Sequence, residues 1–152
     1  MKKIIILGLV SVLLLPLLII GCASEKEAGN TSTPTPNTQT VAITLDEFSA
    51  NNSMLKYVET TYPGTVTVRL GSNPTTGYNW AVTEIVHPEV IEKVSNDYEG
   101  PTATNIVGAG GTEEWVFNAK ETGLAIIRMS YSRPWEGGEK DLYTVSINVN
   151  IK

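Results

Sequence analysis

The sequence is poor in the residues that many enzyme active sites and metal centres use. Its 152 residues include a single cysteine, Cys22, and a single histidine, His87. One cysteine cannot form a disulfide within the chain, so a folded domain must hold together without cross-links. A zinc site needs several His or Cys ligands, and a catalytic thiol needs a histidine partner. The two counts therefore argue against a zinc enzyme and a cysteine-dependent hydrolase.

The remaining candidates for catalysis are weak. His87 stands in "VHPEV" between two strand patterns, and we interpret it as a solvated loop residue held extended by the proline that follows. Carboxylates such as Glu113 and Glu114 match no metal loop, and charges on a strand are most often solvated. A glycosidase-type carboxylate pair is defined in space and is not visible in a sequence. We predict no catalytic residue, metal or cofactor.

Long hydrophobic runs are missing beyond the first 21 residues. There, two lysines precede an apolar run from Ile4 to Ile20, which Pro16 interrupts and which is shorter than the roughly 20 residues of a spanning helix. This is the pattern of an export signal. Its end, "LIIGC", resembles the lipobox of prokaryotic lipoproteins, which implies cleavage before Cys22 and lipidation of that cysteine. The alternative is an uncleaved N-terminal helix with an incidental cysteine. Both interpretations place the domain outside the cytoplasm, close to a membrane.

Basic residues are outnumbered by acidic ones. Removing the signal takes away Lys2 and Lys3 and leaves nine basic against sixteen acidic residues, a net charge of −7. Such a domain repels phosphate backbones, so nucleic-acid binding is disfavoured. Residues 24–40 are polar, rich in Thr and Pro and without an apolar period, which predicts a disordered linker. We therefore predict a signal at 1–21, a lipid-anchored linker at 22–40 and a monomeric domain at 41–152.

From residue 41 onward, apolar and polar residues alternate, as in half-buried β-strands. The segments between them are rich in Gly, Pro, Asn and Ser, and no amphipathic helix of useful length is visible. Seven to eight short strands in about 110 residues predict an all-β fold, an immunoglobulin-like antiparallel β-sandwich. The pattern is clear at 41–46, 66–70, 78–83, 114–119, 124–131 and 143–151, and weaker at 90–98 and 55–59.

Three segments between strands contain unusual residues. In "NPTTGY", Pro74 fixes its own φ, Thr75 and Thr76 are stiff at χ1, and Gly77 accepts a positive φ. This combination predicts a loop that is ordered before it binds anything. A later segment, "RPW", contains Arg and Trp, which are enriched at binding hot spots. From composition alone, Trp135 is either exposed or folded back on the edge of the sandwich.

The third segment is the glycine cluster at residues 108–111. It lacks the GK[ST] ending of a phosphate-binding loop, and no helix pattern follows it. We interpret it as a flexible connection whose backbone can approach another surface closely.

Together the three motifs resemble those of the chagasin-like family of protease inhibitors, over residues 41–152. The resemblance implies an immunoglobulin-like fold and reversible, non-covalent, tight inhibition of papain-like cysteine proteases, without enzymatic activity. It also implies that the NPTTGY loop enters the active-site cleft while the other two segments contact the protease on either side, with Arg133 reaching toward an acidic rim. Tyr78 and Trp80 are expected to support the loop from the core. The residues expected to contact the protease are Asn73, Pro74, Thr75, Thr76, Gly77, Gly108, Ala109, Gly110, Gly111, Arg133, Pro134 and Trp135.

The alternative function is a cell-surface adhesion or carbohydrate-binding module on the same fold. It predicts aromatic residues spread along a sheet face, or a calcium-type cluster of Asp and Asn. The sequence instead places its candidate residues in loops.

Overall fold

The computed structural model describes residues 37–101 and 108–152, which form two packed β-sheets. The all-β sandwich predicted from the alternation is confirmed, and each predicted strand is present. Within these residues, no helix has the length and apolar character needed to cross a bilayer. The strands are β1 (Asn37–Ile43), β2 (Ser53–Thr60), β3 (Gly64–Ser72), β4 (Asn79–Val86), β5 (Ile91–Glu99), β6 (Gly111–Ala119), β7 (Gly123–Ser132) and β8 (Tyr143–Ile151), with a helix α1 (Leu45–Ala50) and a 3-10 turn (Pro74–Thr76).

The strand order is β1-β3-β6-β5 in one sheet and β2-β8-β7-β4 in the other. Each connection reverses the chain, so odd-numbered strands run one way and even-numbered strands the other. The connections that follow β1, β3, β5 and β7 consequently lie at the same end of the sandwich.

The prediction that all strands pair antiparallel is wrong for two of the six pairs, because strand direction alternates along the chain. The pairs β1–β3 and β2–β8 join strands of equal parity and are parallel, with Val41 opposite Val68 and Val58 opposite Val149. The other four pairs are antiparallel, as predicted.

The core lies between the sheets and takes alternate residues from β3, β6, β7 and β8, whereas β5 contributes only Ile91. Fully burying one such aliphatic or aromatic side chain contributes about 1.5–3 kcal/mol. The least exposed large side chains are Phe48, Phe117, Ile43, Leu70, Ile91, Ile127, Met129 and Ile147.

The first strand begins earlier than predicted. Residues 37–40 belong to β1, although we assigned them to the linker, and they pair in register with residues 64–67 of β3. Their polar side chains do not prevent this, because an edge strand pairs through its backbone and exposes one face to water. The signal at 1–21, Cys22 and the linker up to residue 36 lie outside the described residues.

Helix α1 was not predicted, because residues 45 and 46 continued the alternation of the first strand. A capping box ends that strand: Glu47 N–H donates to Thr44 Oγ1 at 3.2 Å, and Thr44 N–H donates to the Glu47 carboxylate at 2.7 Å. Phe48 is fully buried, with its ring centroid 4.8 Å from that of Trp80. The helix thus closes the core at the end that carries the loops.

The prediction of an extended backbone at His87 is wrong. Its φ is +62°, and its carbonyl accepts a hydrogen bond from Val90 N–H at 3.0 Å in the tight turn before β5. The side chain is exposed, as predicted, and its Nδ1 lies 2.8 Å from Glu89 Oε1.

Candidate functional site

The three segments singled out in the sequence lie at one end of the sandwich, because they follow β3, β5 and β7. We name them the threonine loop (residues 73–78), the glycine loop (residues 108–111) and the tryptophan loop (residues 133–142). Asn73 Nδ2 donates to the carbonyl of Gly108 at 2.8 Å and so joins the threonine loop to the glycine loop. The topology therefore brings together all three predicted segments.

The threonine loop is a hydrogen-bonded turn. Its amides at Thr76 and Gly77 donate to the carbonyls of Asn73 and Pro74 at 3.1 and 2.9 Å. Both threonine hydroxyls also donate to Asn73: Thr75 to its side-chain Oδ1 and Thr76 to its carbonyl, each at 2.6 Å. Pro74, Thr75 and Thr76 are exposed. The loop therefore presents three exposed residues on a turn that is already ordered, as the sequence predicted.

Gly77 joins the threonine loop to the tryptophan loop. Its φ of +84° is in the left-handed region, where a side chain is strained. A Cβ at this position would also lie 2.4 Å from Cη2 of Trp135, closer than any real contact. The indole of Trp135 thus packs directly on the glycine, while 51% of the residue is exposed. The sequence left open whether Trp135 is exposed or folded back. The structure shows both features: one edge of the indole packs on Gly77, and about half of the residue is exposed.

Arg133 is half-buried and packs on two aromatic rings at this end of the molecule. Its Cζ lies 4.4 Å from the ring centroid of Tyr78 and 5.8 Å from that of Trp135, so the cation contacts both rings. Tyr78 donates its hydroxyl to the carboxylate of Glu139, and this hydrogen bond, together with burial, raises the pKa of Tyr78. The sequence did not indicate a role for Glu139, because it lies in a loop where polar and apolar residues follow no regular pattern.

The tryptophan loop is cross-linked by its own hydrogen bonds. Arg133 N–H donates to the carbonyl of Glu139 at 2.8 Å, and Gly138 N–H donates to that of Trp135 at 3.1 Å. Lys140 Nζ donates to the carbonyls of Arg133 and Trp135 at 2.5 and 3.2 Å. Pro134 is exposed at the tip. The loop therefore holds Trp135 in place through its backbone as well as through Gly77.

The glycines of the glycine loop allow backbone contacts inside the molecule. A Cβ on Gly111 would lie 2.1 Å from the Glu99 carbonyl oxygen, and one on Gly110 would lie 3.0 Å from the Ser72 carbonyl oxygen. Gly108 has a φ of +82° with open space around it, and Ala109 is half-buried. Gly110 and Gly111 thus lie close to the backbone of neighbouring strands, and contact of the glycine loop with a protease stays a prediction.

Tyr78 and Trp80 lie in the core beneath the threonine loop, at 7% and 3% exposure. Trp80 Nε1 donates to the carbonyl of Gly71 at 2.9 Å, which joins the two strands that flank the loop. The Tyr131 ring lies between those of Tyr78 and Trp80, with centroids 5.3 and 5.2 Å away, and its hydroxyl accepts Asn73 N–H at 2.8 Å.

Glu113 lies beneath the site, and its burial differs from the prediction. We predicted a solvated carboxylate, but it is buried, at 8% exposure, where it accepts hydrogen bonds from Ser72 Oγ at 2.6 Å and from Trp80 N–H at 3.2 Å. The signal was present in the sequence, because Glu113 shares the period-two inward positions of Trp115 and Phe117. Its neighbour Glu114 faces outward.

The features expected of an adhesion or carbohydrate-binding module are not seen in the part of the chain that the structure describes. Its exposed aromatic residues do not form a row: Tyr57 lies on β2, Tyr62 in the turn after β2, Tyr98 on β5 of the other sheet, and Trp135 in a loop. In the described ranges, no three His, Cys, Asp or Glu side chains are placed to hold a metal ion.

Comparisons with known proteins agree with this geometry. Residues 63–149 match the family described as chagasin family peptidase inhibitor I42. Chagasin from Trypanosoma cruzi is 36% identical over 90 residues, which cover 56% of this chain and 81% of chagasin.

Two solved structures share the fold. The cysteine protease inhibitor EhICP2 from Entamoeba histolytica superposes with a TM-score of 0.62 at 20% identity, over 78% of this chain and 99% of that one. PbICP-C, solved in complex with falcipain-2, superposes with a TM-score of 0.55 at 16% identity, over 76% of this chain and 99% of that one.

Proposed function

This chain belongs to the chagasin family of peptidase inhibitors, and we propose that it inhibits papain-like cysteine proteases reversibly and without covalent chemistry. The threonine loop fills the active-site cleft, and the glycine and tryptophan loops contact the protease on either side. One observation carries this proposal: an ordered turn with exposed Pro74, Thr75 and Thr76 lies between the two other loops at one end of a rigid sandwich.

The turn explains how the loop occupies a cleft without being cleaved. Proteolysis needs a substrate carbonyl aligned with the attacking thiolate. The carbonyls of Asn73 and Pro74 instead accept hydrogen bonds inside the turn, from Thr76 and Gly77. The loop therefore presents a compact 3-10 turn where a substrate presents an extended peptide.

The order of the loops supports tight binding. Immobilising a flexible side chain on binding costs about 0.5–1.5 kcal/mol, and a preformed loop avoids much of this. Both threonine hydroxyls are already directed by their bonds to Asn73, and the indole of Trp135 is held by Gly77 and Arg133. An exposed, immobilised Trp has the properties of a binding hot spot.

The test is a titration of papain with residues 23–152, which include every described residue. We expect stoichiometric inhibition with the inhibitor chain left intact on a gel. A variant with Thr75→Ala, Thr76→Ala and Trp135→Ala should inhibit far more weakly, because it lacks the exposed side chains and keeps the core. Failure to inhibit papain and several related proteases would contradict the proposal and favour the adhesion or carbohydrate-binding module.

We also propose that the chain is exported and anchored to the membrane through a lipid on Cys22, as the lipobox-like ending of the signal suggests. The topology supports this arrangement. Strand β1 runs toward the loops, so its first residue, Asn37, lies at the opposite end of the sandwich, where it pairs with Gly64. A tether that joins there leaves the loops free. Metabolic labelling with palmitate in the producing cell tests it: wild type should incorporate label, Cys22→Ala should not, and an unlabelled wild type would contradict it.

A further inference from the structure

The geometry points to Glu113 as a positioning residue, and we propose that its buried carboxylate holds the two ends of the threonine loop together for protease binding. The inference rests on the proposed function. Glu113 is not exposed at the loop surface and acts on the protease only through the loop it supports.

A single oxygen of Glu113 contacts both flanks of the threonine loop. Ser72, the last residue of β3, donates its hydroxyl to Glu113 Oε1 at 2.6 Å. Trp80, the second residue of β4, donates its backbone N–H to the same oxygen at 3.2 Å. Strands β3 and β4 belong to different sheets, so the carboxylate bridges the sheets where the chain leaves one for the other.

The bridge satisfies two buried hydrogen-bond donors. Ser72 is fully buried and Trp80 is 3% exposed, so an unpaired donor at either position would be desolvated without compensation. Among the strands that the structure describes, β4 is bonded only to β7, so none of them pairs with its other side. A charged acceptor makes stronger hydrogen bonds than a neutral one, which suits a single oxygen with two donors.

Two further bonds act on the same flanks. Trp80 Nε1 donates to the Gly71 carbonyl at 2.9 Å, and Asn73 N–H donates to the Tyr131 hydroxyl at 2.8 Å. The first bond joins the two strands that flank the loop, and the second joins the first loop residue to β7. Only Glu113 among these groups contacts both flanks of the loop at once, from strand β6. We therefore expect the turn to loosen when the carboxylate is removed, although the sandwich keeps its hydrophobic core.

The test compares Glu113→Leu with three matched variants. Glu113→Gln keeps an acceptor oxygen of similar shape. Glu114→Leu removes the same charge one residue away, on the outward face beside Arg69. Val149→Ala removes buried volume near the end of the sandwich opposite the loops and so lowers stability without touching them.

Two readouts separate positioning from stability. The amides of Thr76 and Gly77, which close the turn, should exchange with deuterium at least about tenfold faster in Glu113→Leu, because local opening becomes easier. The inhibition constant for papain should rise about tenfold, mainly through faster dissociation. Glu113→Gln should recover most of both effects, and the Glu114 and Val149 variants should show neither. If Glu113→Leu does not fold, Ser72→Ala, which removes one donor, should shift both readouts in the same direction.

The inference is overturned if the turn amides and the inhibition constant of Glu113→Leu match those of Val149→Ala at equal loss of stability. Glu113 would then be a core residue like any other. If wild type inhibits no protease, the proposed function fails, while the exchange experiment still decides whether Glu113 holds the loop.

Discussion

The packing of Trp135 on Gly77 gives the sharpest prediction, because one substitution changes two loops at once. In Gly77→Ala, the backbone must hold alanine at a φ of +84°, which costs roughly 1–2 kcal/mol of stability for an L-residue. The new Cβ would also lie 2.4 Å from Cη2 of Trp135. Carbon atoms pack best at about 3.5–4.0 Å, so the indole has to retreat by about 1 Å or more.

The displacement of the indole should weaken inhibition, whereas the backbone strain should lower the stability of the fold. We expect the inhibition constant of Gly77→Ala for papain to rise between tenfold and thirtyfold, or about 1.4–2 kcal/mol, because a displaced hot-spot side chain keeps only part of its packing on the protease. The free energy of unfolding, measured by urea denaturation, should fall by roughly 1–2 kcal/mol.

Gly137→Ala is the matched control. Gly137 has a φ of +71° in the same tryptophan loop, so alanine brings similar strain, but no atom lies within 4 Å of the added Cβ. It should lose similar stability and keep its inhibition constant within about threefold. Equal inhibition by Gly77→Ala and wild type would refute the reasoning, since the clash would then displace nothing that the protease touches.

Three other predictions follow from single side chains. Trp135→Ala should raise the inhibition constant for papain about thirtyfold, or about 2 kcal/mol, with little change in the urea midpoint because the ring is half exposed; a matching loss of stability would contradict this. The hydrogen bonds from Thr44 lower the pKa of Glu47, so the stability that its carboxylate contributes is present above pH 4.5 and is lost as the pH falls through the lowered pKa. The free energy of unfolding should therefore fall less between pH 7 and pH 3 in Glu47→Gln than in wild type. Equal losses would count against the capping box. The hydrogen bond to Glu139 raises the pKa of Tyr78, so wild type should lose stability as the pH rises above 10.0 and through the raised pKa. Tyr78→Phe should lose less stability over the same range. Parallel profiles of stability against pH would exclude this bond.

The signal, the lipidated Cys22 and the contact residues of the three loops stay predictions, which the titration and labelling experiments address. The sequence alone was sufficient to locate the loops, because the residues that make them rigid act locally. Pro74 restricts its own φ and Gly77 accepts a positive one, whatever strands surround them. Period-two alternation predicted the strands for the same local reason.

Errors arose where the alternation of side chains and the hydrogen bonding of the chain disagree. Residues 37–40 are polar, yet they form part of an edge strand because a backbone partner is available at residues 64–67. Residues 45 and 46 continue a strand pattern, yet they begin helix α1 because Thr44 and Glu47 cap it. In both cases the chain follows its hydrogen-bonding partners, which the alternation of side chains does not identify.

The sequence by itself determined that the chain is an all-β domain, where its strands lie, and the stiffness of the threonine loop. Only the tertiary structure decided that two strand pairs are parallel, that Arg133 lies against Tyr78 and that Glu113 is buried under Ser72 and Trp80. Each of these features depends on residues far apart in the chain that meet in the folded sandwich. The conformation of a residue follows from its own chemistry, but its partners follow from the direction in which each strand runs.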